Sequence, residues 1–175
     1  MSTDTEQRSR RLAHALRHGP EIYGLTLRPG GWASLPAVLD ALDMTREELR
    51  AVVEAPGRLR FELVEDKIRA LHGHSVAVAL DHPAEVPPAR LFHGTVAKKL
   101  GAIRVEGLRA QSRQFVHLTS SREEAIVIGR RRGVPIVIEV HARALHDARG
   151  TVFLHVTGST IWLVDHVPAE YLLIP

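Results

Sequence analysis

A ten-residue stretch, Asp81 to Arg90, carries Pro83, Pro87 and Pro88. Proline fixes its own φ and pushes the residue before it out of the α region, so neither a helix nor a central strand is expected through it. The patterns on its two sides also differ. Before it, apolar residues recur at helical spacing; after it, short runs rich in β-branched residues predominate. At 175 residues the chain can fill one large domain or two small lobes. The expectation is an α+β protein of two lobes, residues 1–82 and 91–175, joined by a linker at 83–90.

In the first lobe, Met1 to Thr5 is polar and expected to fray. Glu6 to His18 reads as a helix with Leu12 and Leu16 at i,i+4, stopped by Gly19-Pro20. Leu25-Thr26-Leu27 alternates like a short strand, and Pro29-Gly30-Gly31 is a turn. Ser34 can cap a helix to about Leu42, with Pro36 in its first turn. Thr45-Arg46-Glu47-Glu48 is a capping box opening a helix to about Glu54, which Pro56-Gly57 breaks. Arg58 to Val64 and Lys67 to His72 read as a hairpin around Glu65-Asp66. Three short helices followed by a hairpin is the pattern of a winged helix.

In the second lobe, Leu91-Phe92-His93 and Val116-His117-Leu118 read as strands. Thr95 is expected to cap a helix ending at Gly107, and Ser120-Ser121 another to about Arg130. Further strands are expected at Ile136 to Val140, Thr151 to Val156, Ile161 to Val164 and Tyr171 to Ile174.

The chain has no cysteine, which excludes disulfides, thiol nucleophiles and cysteine-ligated zinc. No apolar run approaches a membrane span and the N-terminus has no apolar signal core, so a cytoplasmic protein without membrane contact is expected. There is no P-loop, no dinucleotide fingerprint, no Ser-His-Asp signature and no carboxylate pair. Of the 23 basic residues only Lys67, Lys98 and Lys99 are lysines. Arginine binds phosphate bidentately and keeps its charge when partly buried, which suits a phosphate-rich ligand. A GC-rich genome gives the same bias, and a net charge of +3 is weak support for a nucleic-acid partner, so placement has to decide.

Arg17-His18 stands at a helix end, where it can serve a phosphate or the last carbonyls of its own helix. His14 and His18 share metal-ligand spacing, but no third ligand is evident. Arg58 and Arg60 fall on one face of the hairpin, either as a phosphate contact or as a solvated face. Gly73-His74-Ser75 permits close backbone approach to a ligand and equally reads as a surface turn. His93-Gly94-Thr95 and His117-Leu118-Thr119-Ser120 both read as strand-to-helix junctions, so their histidines could line one cleft; a core histidine is the plainer reading of His117. Arg130-Arg131-Arg132 is a basic turn or a phosphate site.

The order of these motifs resembles the NAD-dependent RNA 2′-phosphotransferases. Leu16-Arg17-His18, Gly24-Leu25-Thr26-Leu27 and Gly31-Trp32 are similar to the N-terminal signature of that family. Arg60-Phe61, Ile68-Arg69-Ala70, Gly73-His74-Ser75, His93-Gly94-Thr95, Ile103 with Gly107-Leu108, Val116-His117-Leu118 and Gly129 with Arg131 follow in its order. Trp162 and Asp165-His166-Val167-Pro168 resemble its C-terminal signature. One departure is Phe115, where members often carry a first His in His-Val-His-Leu-Ser.

The resemblance implies an N-terminal winged helix and a C-terminal ADP-ribosyltransferase-like β fold with an NAD cleft. It implies transfer of an internal RNA 2′-phosphate to NAD through an ADP-ribosylated RNA, giving 2′-hydroxyl RNA, ADP-ribose 1″,2″-cyclic phosphate and nicotinamide. The family's catalytic Arg-His-Arg-Arg quartet falls on Arg17, His18, Arg60 and Arg131, expected to face one point across the cleft. NAD, consumed as co-substrate, would be held by His93, Gly94, Thr95, His117, Leu118 and Ser120, with no metal. The implied partner is a tRNA-like RNA with a 2′-phosphate, acted on by a monomer. The alternatives are an ADP-ribosyltransferase acting on terminal phosphates of nucleic acid, and a winged-helix module without chemistry. Against the latter, the helix before the hairpin carries Glu47, Glu48 and Glu54, a poor face for a DNA groove.

Overall fold

A computed structural model describes residues 3–57 and 59–175. Arg58, expected to share a strand face with Arg60, lies outside the described residues, as do Met1 and Ser2 of the expected frayed end. The chain divides into two compact units, Met1–Asp81 and His82–Pro175.

In the first unit, helix α1 spans Thr3–Arg17. It begins earlier than expected because Asp4 and Glu6 occupy its first turn, where the helix dipole favours acids. They also pair at i,i+4 with Arg8 and Arg10. Strand β1 is Trp32–Ser34, followed directly by α2, Leu35–Leu42. The strand expected at Leu25 to Leu27 does not form. The chain instead turns through Pro29–Gly31, with the Arg28 N–H bonded to the Trp32 carbonyl, and pairing begins only at Trp32. Helix α3, Arg46–Val53, starts with the expected capping box, Thr45 and Glu48 each bonding the other's backbone N–H. Strands β2, Phe61–Val64, and β3, Lys67–Ala70, form the hairpin, with Glu65 in the left-handed region at φ 50°. The sheet order is β1-β3-β2, all antiparallel. Its inner face packs Phe61 and Ile68 on Leu12, Leu16, Leu35 and Leu49 of the helices.

The second unit is built on a sheet. Residues 83–90, expected as a linker, run along its edge: Glu85 N–H bonds the Phe153 carbonyl, His155 N–H bonds the Pro83 carbonyl, and Ala84 bridges Leu154. The unit comprises β4, Leu91–Thr95; α4, Leu100–Glu106; β5, Leu108–Arg109; β6, Val116–Thr119; α5, Arg122–Arg130; and β7, Ile136–Val140. After these come α6, Ala142–Arg149; β8, Leu154–His155; β9, Ile161–Val164; β10, His166–Val167; and β11, Leu172–Leu173. Six strands pair in the order β11-β7-β4-β6-β9-β8, every neighbour antiparallel, while β5 and β10 form a separate ladder. Leu91, Leu118, Ile138, Val140 and Trp162 fill the core with Leu145 and Phe153.

Three expectations change here. Thr95 does not cap a helix: β4 pairs with β7 through Thr95, which is buried, and a 3-10 turn at Ala97–Lys99 precedes α4. Helix α6 was not anticipated, nor was the β5–β10 ladder. Only Leu154–His155 of the expected 151–156 strand forms. Among the described residues no helix is long and apolar enough to cross a membrane.

Candidate functional site

Three of the four residues expected to grip a phosphate lie along α1, Arg17 and His18 at its end and Arg60 packed against it. The Arg17 carbonyl accepts from Ser75 N at 2.9 Å and Val76 N at 3.4 Å, so the turn after β3 closes on the helix end. Gly73 lies at the bottom of that turn with φ +91°, and a Cβ there would stand 3.4 Å from Arg17 Nη1. The positive φ, which L side chains rarely adopt, is what asks for glycine here, since that distance is ordinary van der Waals contact. Arg17 Nη2 donates to the Arg60 carbonyl at 3.3 Å, and its Cζ lies 5.5 Å from the Phe61 ring centre. Arg60 Nη1 donates to the hydroxyl of Ser9 at 3.2 Å. Ser9 is only 2% exposed and sits about two turns before Arg17 on the same helix. His18 follows Arg17 directly and bonds Ser75 Oγ through Nδ1 at 3.0 Å. Arg17 and the exposed imidazole of His18 thus stand at the helix C-terminus, whose partial negative charge favours cations, while the half-buried Arg60 guanidinium lies against the same helix at Ser9.

Arg69, also within the resemblance, serves the fold. It bonds Glu62 at 2.6 Å, Asp81, and the Gly30 carbonyl at 3.2 Å, and its guanidinium lies 4.4 Å from the Trp32 ring centre. Among the described residues no cluster of three or more His, Asp or Glu is arranged for a metal ion.

In the second unit the two histidines come from neighbouring strands; β6 with His117 leads into α5 as expected, whereas a 3-10 turn separates β4 with His93 from α4. Phe92 in β4 pairs with Thr119 in β6, and His93 Nδ1 is 3.0 Å from the His117 carbonyl. His117 Nδ1 is likewise 3.0 Å from the Phe115 carbonyl. A carbonyl only accepts, so each ring donates from Nδ1. Burial holds His93 below the ordinary histidine pKa; Arg132 and Arg113 add to the depression, and the bond to the His117 carbonyl opposes it. His93 is therefore neutral at pH 7, with its lone pair on Nε2.

His93, Thr95 and His117 line a cavity of about 170 Å³ with Arg113 and Arg132, and with Ile103, Leu108, Phe115 and Val116 as an apolar wall. That volume is below the roughly 300 Å³ at which pockets for drug-sized ligands begin, so the cavity suits one part of a larger ligand. Arg113 is partly desolvated, and burial lowers its pKa, helped by Arg132 and Arg131. Arg113 and Arg132 at one cavity favour an anion there.

The remaining expected residues stand elsewhere. Gly94 is required by packing: a Cβ on it would lie 1.9 Å from the Ala125 carbonyl oxygen of α5. Leu118 is in the core, and Ser120 is exposed with its N–H on the Thr160 carbonyl. Arg131 is not part of the cavity lining, whereas Arg113, absent from the sequence expectation, is. Its one local signal is its place four residues before His117, in the irregular segment that feeds β6.

Residues 3–166 match the model of the family described as RNA 2′-phosphotransferase, Tpt1 / KptA family. A probable RNA 2′-phosphotransferase of Streptomyces coelicolor is 45% identical over 172 residues, covering 95% of this chain and 93% of the relative. One from Pseudomonas aeruginosa is 42% identical over 172 residues, covering 94% and 93%. One from Rhizobium rhizogenes is 41% identical over 169 residues, covering 94% and 90%. The chain belongs to the RNA 2′-phosphotransferase, Tpt1 / KptA family.

Proposed function

We propose that this protein moves an internal RNA 2′-phosphate onto NAD, releasing 2′-hydroxyl RNA, ADP-ribose 1″,2″-cyclic phosphate and nicotinamide. The observation that carries this is the placement of Arg17 and His18 at the end of α1 and of Arg60 against the same helix, in a chain that belongs to a family named for RNA 2′-phosphate transfer. The first unit, read as a winged helix, takes the RNA phosphate. The second, read as an ADP-ribosyltransferase-like fold, takes NAD.

The nucleophile of the first step is already an anion, so the protein has to orient it and not deprotonate it. Arg17 and Arg60 do so, with their guanidiniums pre-set by the Arg60 carbonyl and by Ser9. The RNA phosphate attacks the anomeric carbon of the nicotinamide ribose, and nicotinamide departs with the bonding pair. In the second step the ribose 2″-hydroxyl attacks phosphorus and the RNA 2′-oxygen leaves. His18 moves the proton, and fixed cations stabilise the charge on the five-coordinate phosphorus.

The donor set of the second unit fits a dinucleotide. The apolar wall suits a flat base, His93 Nε2 can accept from a ribose hydroxyl, and the arginines suit a diphosphate. NAD supplies a cationic leaving group and an electrophilic anomeric carbon. Of the two candidates for a fourth cation, the cavity lining favours Arg113 over Arg131.

The test is incubation with NAD and an RNA bearing an internal 2′-phosphate. Expected are stoichiometric nicotinamide and 2′-hydroxyl RNA. No nicotinamide release would overturn the proposal; release with an accumulating ADP-ribosylated RNA would restrict it to the first step.

A further inference from the structure

We propose that Ser75 is a positioning residue that holds His18 in a single tautomer, with the proton on Nδ1 and the lone pair on Nε2. Three distances carry this. His18 Nδ1 stands 3.0 Å from Ser75 Oγ, and Ser75 Oγ stands 3.3 Å from the Arg17 carbonyl oxygen. Ser75 N donates to the same carbonyl at 2.9 Å, so the residue is pinned at two points and its hydroxyl faces the helix end. A serine hydroxyl has one proton, and a carbonyl can only accept. Given to the Arg17 carbonyl, that proton leaves Oγ with a lone pair toward the ring, and the ring must bring the hydrogen.

The chain Nδ1–H to Oγ–H to carbonyl is unchanged when the ring becomes an imidazolium, since both ring nitrogens then donate. Nε2 can gain and lose a proton with no reorientation of the hydroxyl, the same logic by which a carboxylate orients a catalytic histidine. Among the charged and titratable neighbours of His18 are Arg17, adjacent in sequence, and His14, whose ring centre is 6.0 Å away and which itself meets Tyr23 edge-on at 5.8 Å.

The use of this tautomer rests on the function proposed above. In the second step a bond forms between the ribose 2″-oxygen and phosphorus, and the bond from phosphorus to the RNA 2′-oxygen breaks. The proton leaves the 2″-hydroxyl for His18 Nε2 and returns to the RNA 2′-oxygen. A ring held with its hydrogen on Nε2 could not accept the first proton.

The experiment uses the full chain labelled with ¹⁵N-histidine, with the ring nitrogens of His18 read by long-range proton–nitrogen correlation at a pH where the ring is neutral. Expected is a protonated-type Nδ1 and an unprotonated-type Nε2 in the wild type, a shift toward the other tautomer in Ser75→Ala, and retention in Ser75→Thr. In parallel, conversion of isolated ADP-ribosylated RNA to products should slow about tenfold or more in Ser75→Ala, with KM for NAD unchanged, and recover to within about threefold in Ser75→Thr. A lone pair on Nδ1 in the wild type, or a nitrogen spectrum indifferent to Ser75→Ala, would overturn the proposal. The spectrum requires no turnover, so a wild-type protein that released no nicotinamide would sink the proposed function and leave the Ser75 assignment to be decided separately.

Discussion

The guanidinium of Arg17 donates through Nη2 to the backbone carbonyl of Arg60 at 3.3 Å, so two arginines 43 residues apart are joined. The joint is made by the backbone of the residue before β2 and the last residue of α1, both anchored by the core beneath them.

Ser9→Ala should release Arg60 from this arrangement. The buried hydroxyl accepts from Arg60 Nη1, and its loss is expected to cost about 1 kcal/mol of stability. Turnover should fall by about tenfold to a hundredfold through misorientation, with KM for NAD unchanged. Urea unfolding together with steady-state kinetics checks both; an unchanged kcat would show that Arg60 needs no anchor.

Arg113→Ala and Arg131→Ala separate the two candidates for the fourth cation. Arg113 lines the cavity with His93 and His117, and Arg131 does not. Removing a preorganised cation at developing charge is expected to lower kcat about a hundredfold or more for Arg113→Ala, with a smaller loss for Arg131→Ala. The reverse order of effects in single-turnover assays would restore Arg131 to the place the sequence suggests.

Stability should depend on His93 on the acid side. Burial, with Arg132 and Arg113 adding, holds the folded ring below its ordinary value of 6.5. As pH falls the unfolded chain therefore takes up a proton first. The stability this group contributes is fully present above about 6.5 and is lost as pH falls toward the folded pKa. His93→Gln should flatten that part of the profile; unfolding midpoints across about pH 7.5 to 5 measure it, and parallel profiles for the two proteins would contradict it.

Gly94→Ala should be among the most damaging single-methyl changes. The added Cβ would meet the Ala125 carbonyl oxygen at 1.9 Å, a backbone atom of α5 that can move only with its helix. A loss of about 3 kcal/mol or more is expected, read as a fall in thermal midpoint or in soluble yield. A midpoint near wild type would mean that α5 shifts freely on β4.

Much of the helical unit could be read from the chain because its signals are local. The Thr45–Glu48 capping box, the Gly19-Pro20 stop and the hairpin turn each act within a few residues, and each stands where the spacing put it. Arg17-His18 was legible for the same reason: a basic pair at a helix end is visible in one turn of sequence. The sheet unit was harder. Helix α6 lies in a polar run, His141 to Gly150, with few apolar positions to mark a face, and β5, β8, β10 and β11 have two residues each. The roles of single residues were harder still. Gly94, expected among the residues holding NAD, is required by the packing of a helix; Thr95 suggested a cap and proved to be a buried strand residue.

By itself the sequence determined the family order of the motifs, the break in character near Asp81, and the helix that carries Ser9 and Arg17 with His18 directly after it. Only the tertiary structure decided that Arg60 sits against Arg17, that Ser75 reaches His18, and that Arg113 joins His93 and His117 around one cavity. The physical reason is range. Capping, breakers and helical period act over three or four residues, whereas strand pairing and the closing of a turn on a helix end bring together groups tens of residues apart, and no local pattern records which ones.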